Sequence, residues 1–69
     1  MKNAVYVGGG FSQDQLLWII PIVCEKYKGT NINQIIFEKV PNSSVLKNKK
    51  IKKYLSEYEI INQKDLELF

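Results

Sequence analysis

The chain has 69 residues, enough for one domain at most, and at that size a single core is barely sufficient unless disulfides, a structural metal or self-association adds to it. One cysteine, Cys24, rules out an internal disulfide. The absence of histidine rules out a Ser-His-Asp set, a Cys-His pair and a histidine-bearing metal site, and the seven carboxylates show no metal-ligand spacing. The net charge of +3 comes from ten lysines with no arginine, so bidentate readers of phosphate and base edges are missing and pI 9.1 is a weak argument for nucleic-acid binding.

Apolar residues make up 45% of the chain, too many for a disordered segment. Asn3 to Val7 is short and β-prone, and it is closed by Gly8-Gly9-Gly10, as a buried first strand running into a tight turn would be. Ser12 then stands as an N-cap, Gln15 completes a Ser-x-x-Gln capping box, and Asp14 favours the N-terminal end of the helix dipole. A helix is expected from about Gln13 to Lys28, stopped by Gly29. Its middle, Leu16 to Cys24, is apolar on nearly every side and so calls for cover all round. Pro21 should kink that helix or restart it. The apolar run is far shorter than the roughly 20 residues that span a bilayer, and the short strand and Gly triplet ahead of it do not read as a signal peptide. Cys24 inside it reads as a small core residue, and a lone thiol fits a reducing, cytoplasmic setting.

A second strand is expected over Ile32 to Val40, ending in the turn Pro41-Asn42-Ser43-Ser44 with two candidate N-caps. Ile51, Tyr54, Leu55 and Tyr58 at i, i+3, i+4 and i+7 form the buried stripe of an amphipathic helix whose other positions carry Lys47, Lys49, Lys50, Lys52 and Lys53. Those lysines read as a solvated face, since aromatics interleaved for base stacking are lacking. Tyr58 to Ile61 is β-like, Asn62 to Asp65 reads as a loop, and Leu66 to Phe69 as the first turn of a further helix.

Strands alternating with helices in this way specify an α/β chain, a three-stranded parallel Rossmann-like β-α-β-α-β sheet. Such a sheet wants both faces covered, which two helices cannot do. The expectation is therefore a fragment or one subunit of a larger assembly: a homo-oligomer, or a chain whose C-terminal part is missing. Ligands of open α/β sheets bind outside the carboxyl ends of the strands, which singles out Gly8 to Gln13, Lys39 to Ser44 and Asn62 to Asp65. The candidate ligand-binding residues are Gly8, Gly9, Gly10, Ser12 and Gln13, whose backbone N–H groups and helix start suit an anion. Gln13 stands where the dinucleotide pattern would need glycine, and Ser12 and Asp14 are also explained as cap and first-turn acid. No catalytic residue, metal site or cofactor is assigned.

The glycine-ended strand, the capped apolar helix, the second strand, the basic helix and the third strand together resemble the start of a B-type glycosyltransferase, built of two Rossmann-like halves facing across a cleft. That resemblance implies that Gly8-Gly9-Gly10-Phe11-Ser12 lies at the cleft near the acceptor and the donor phosphates, with a nucleotide sugar and a glycan of surface polysaccharide synthesis as ligands. It also implies that most donor-binding residues belong to the other half and that this chain is inactive alone. The early histidine of many such enzymes has no counterpart here. The other reading is a stand-alone α/β interaction module that self-associates to cover Trp18, Leu66, Leu68 and Phe69.

Overall fold

In the computed structural model, residues 3–66 are described. The chain runs β1 (Asn3–Val7), α1 (Gln13–Lys26), β2 (Ile32–Phe37), α2 (Ser43–Leu46), α3 (Lys49–Leu55), β3 (Glu59–Asn62) and α4 (Gln63–Leu66). The three strands form one parallel sheet in the order β1-β2-β3. Val5 lies beside Ile35 and Ile35 beside Ile60, while Val7 lies beside Phe37 and Phe37 beside Asn62. The small α/β architecture with a parallel sheet thus follows the alternation of strand and helix in the sequence.

One face of that sheet makes the core. Val7, Ile35 and Phe37 meet Leu16, Ile20 and Cys24 of α1, Val45 of α2, and Ile51 and Leu55 of α3, with Val5, Tyr54, Tyr58 and Ile60 packed at its margin. Phe37 is 0% exposed and sits at the centre. The stripe read from Ile51, Tyr54, Leu55 and Tyr58 is therefore the face that α3 and the turn after it turn inward, and the lysines at 47, 49, 50, 52 and 53 are exposed.

Several boundaries differ from the sequence reading. β2 ends at Phe37 and not at Val40, because the neighbours that could pair with it end there: β1 leaves the sheet after Val7, and Phe37 has Asn62 as its last partner in β3. The basic segment is two helices, since Asn42 and Asn48 each cap a start. Asn42 Oδ1 accepts from Val45 N–H at 3.1 Å, and Asn48 Oδ1 accepts from Lys50 and Ile51 N–H at 3.0 and 3.2 Å. Asn62 closes β3, and α4 begins at Gln63 where a loop was expected. The remainder of that expected turn, Glu67, Leu68 and Phe69, lies outside the described residues.

α1 ends at Lys26, two residues early, with Tyr27 N–H donating to the Val23 carbonyl at 3.1 Å. Gly29 follows at φ 77°, the left-handed conformation that turns the chain toward β2. The helix runs through Pro21 as a single element, so Pro21 neither ends nor restarts it. The carbonyl deprived of its helical donor is that of Leu17, which is itself exposed. The expectation of cover all round also fails: Leu16, Ile19, Ile20 and Cys24 are buried, but Trp18 and Ile22 are 55% and 57% exposed. Helices α1, α2 and α3 pack on one another over a single sheet face and leave that side of α1 outside. The other sheet face carries Ala4, Tyr6, Gln34, Ile36, Glu59 and Ile61, with Tyr6 half exposed.

Candidate functional site

Three parallel strands bring their carboxyl ends to one edge, and each contributes the residues immediately after it. The turn after β1, the segment after β2 and the start of α4 after β3 enclose an open crevice of about 470 Å³ lined by Gly9, Glu38, Lys39, Val40, Asn62 and Lys64. That volume is within the range of about 300–1,000 Å³ usual for small-molecule sites. It lies outside the carboxyl ends of the strands, the edge of an open α/β sheet on which ligands bind.

The local geometry is fixed by the chain's own hydrogen bonds. Glu38 N–H donates to the Val7 carbonyl at 3.0 Å, which brings the residue after β2 level with the glycine turn. The Glu38 carboxylate, through Oε2, then accepts the N–H of Gly9. A Cβ built on Gly9 would collide with that carboxylate, with Glu38 Cδ only 3.0 Å away. None of the three turn glycines has positive φ, and around Gly8 and Gly10 the space is open, so the backbone conformation does not demand glycine there. What Gly9 permits is the close approach of Glu38. On β3, Asn62 Oδ1 accepts from Lys64 N–H at 3.0 Å, which holds the first residues of α4 at the rim.

Of the residues singled out from sequence, Gly9 lines the crevice, whereas Gly8 and Gly10 flank it in the same turn. Ser12 and Gln13 are engaged elsewhere. Ser12 forms the expected capping box, accepting from Gln15 N–H at 3.2 Å while its own N–H donates to Gln15 Oε1 at 2.8 Å. Gln13 Oε1 accepts from Asn42 N–H at 2.7 Å, tying the start of α1 to the turn before α2. Lys39, Asn62 and Lys64 fall in the segments expected at the strand ends. Glu38 does not, because the segment expected after the second strand begins one residue later, at Lys39; an acid directly after Ile35-Ile36-Phe37 was the available signal.

A second cavity, of about 360 Å³, opens between α1 and α3 beside Cys24, Lys28, Lys50, Lys53 and Tyr54. Burial, with smaller contributions from the Glu57 and Glu25 carboxylates, pushes the Cys24 thiol up to about 11, so at neutral pH it is a protonated core group and a poor nucleophile. Its S–H points to the Tyr54 carbonyl at 3.9 Å, and Tyr58 O–H donates to the Cys24 carbonyl at 3.4 Å. This cavity draws on no strand end and no glycine turn, and the crevice is the stronger candidate.

Among the described residues there is no grouping of His, Cys, Asp and Glu suited to a metal ion, and no helix long and apolar enough to cross a membrane. No family model, curated protein or solved structure matches the chain.

Proposed function

We propose that this chain is a ligand-binding part of a sugar transferase, taking the diphosphate of a nucleotide-activated sugar at the crevice along the carboxyl ends of β1, β2 and β3, with catalysis and most donor contacts supplied by another part of the enzyme. The observation that carries this reading is the convergence of Gly9 with Lys39 and Lys64 on one crevice of ligand size. Two ammonium groups and backbone donors are the chemistry that receives a diphosphate.

The test is calorimetric titration with nucleoside diphosphates and their sugar conjugates at low salt, on the unaltered chain and on Lys39→Ala and Lys64→Ala. Each exposed lysine should be worth roughly threefold in affinity, and raising the salt should weaken binding further. Binding indifferent to both lysines would overturn the proposal.

A second reading, a self-associating module, is favoured by the exposed Trp18 and Ile22 on α1 and by Tyr6 on the second sheet face. Sedimentation over a wide concentration range decides it: a defined dimer abolished by Trp18→Ser supports the module, and a monomer throughout removes it.

A further inference from the structure

The glycine turn already holds an anion, and it belongs to the chain. From the Gly9 N–H bonded to the Glu38 carboxylate, we infer that Glu38 is a resident competitor at the crevice, so that an anionic ligand enters only by displacing it. This rests on the proposed diphosphate reading and adds a means of selecting among ligands.

A carboxylate bonded to a backbone N–H is a charge-assisted contact, and it occupies the donor that a phosphate oxygen would use in that turn. The same negative charge lines the crevice and repels an incoming anion there. Against this, Lys39 and Lys64 line the same crevice and keep it attractive to a ligand with more than one charge. A monoanion gains little by replacing one carboxylate with another. A diphosphate, reaching both lysines as well as the turn, gains from the exchange.

Glu38 is exposed and reaches the turn with the end of a flexible side chain, so it can swing away while the buried Phe37 stays in place. Gly9 is what lets it dock, since any Cβ there would evict the carboxylate. Closed and open arrangements therefore differ by one side-chain movement, with the sheet unchanged.

The experiment titrates inorganic pyrophosphate into the full chain, into Glu38→Ala and into Glu38→Gln, following the Gly9 amide by nuclear magnetic resonance, with circular dichroism to show that each variant keeps its fold. Glu38→Ala frees the N–H, and Glu38→Gln removes the charge while keeping the side chain's length. The expected result is binding roughly tenfold tighter in Glu38→Ala than in the unaltered chain, with the Gly9 amide among the most shifted signals, and an intermediate gain in Glu38→Gln. If pyrophosphate binds the parent and both variants equally, and Lys39→Ala still weakens it, the competitor role is wrong and the diphosphate reading stands. If neither parent nor variants bind pyrophosphate, both fall.

Discussion

Replacing Gly9 and Gly29 separately by alanine should have opposite structural meanings. Gly29 lies at φ 77°, where an L side chain meets the following carbonyl at a cost of about 1–2 kcal/mol, offset by about 0.4–1 kcal/mol because alanine has less unfolded-state entropy to lose. The net expectation is a loss of about 1 kcal/mol. Gly9 has no left-handed backbone, so the same entropic gain applies without the conformational cost, and the new Cβ meets only the movable end of Glu38. Losing the exposed bond from Gly9 N–H to that carboxylate costs about 1 kcal/mol, which nearly cancels the gain. Urea unfolding followed by circular dichroism should thus show Gly9→Ala within about 0.5 kcal/mol of the parent and Gly29→Ala clearly below it. Gly9→Ala destabilised as much as Gly29→Ala would refute the account of why the turn carries glycine.

Phe37→Ala empties the centre of the core and should cost about 3–5 kcal/mol, a large part of the total available to a chain this small, so its thermal melt should be broad or absent at room temperature. Cys24 should react with iodoacetamide at pH 7.5 roughly a hundredfold more slowly than a free cysteine, because a thiol raised from 9.0 to about 11 has that much less thiolate, and the rate should recover in urea. The same shift sets a pH window. The protonated thiol's contribution to stability is complete below pH 9.0 and is lost as the pH rises through about 11, so Cys24→Ala should flatten the alkaline fall in stability across that range.

The parts of the fold legible in the sequence were those with a short-range physical cause. The Ser12–Gln15 capping box, the inward stripe of α3 and the strand before the glycine turn each follow from residues a few positions apart. Where β2 stops was not legible, because it depends on where β1 and β3 stop beside it, a fact about pairing and not about Glu38 or Lys39 themselves. The division of the basic segment rests on Asn48, whose capping role competes with its neighbours' helix preference. The apolar run of α1 overstated its burial because Trp18 and Ile22 face away from the single sheet face the helices cover. The strand-end segments could be foreseen from topology, and Lys39, Asn62 and Lys64 were among them. The bond between Glu38 and Gly9 spans 29 positions and had no local signal.

The diphosphate reading is tested most directly by mapping where a nucleoside diphosphate binds on the isotope-labelled chain, from the amide shifts it causes during titration. The account predicts shifts concentrated at Gly9, Glu38, Lys39, Asn62 and Lys64, saturating together at one affinity. Shifts gathered instead at Lys28, Lys50 and Lys53 between α1 and α3, or no saturable shift at all, would contradict it.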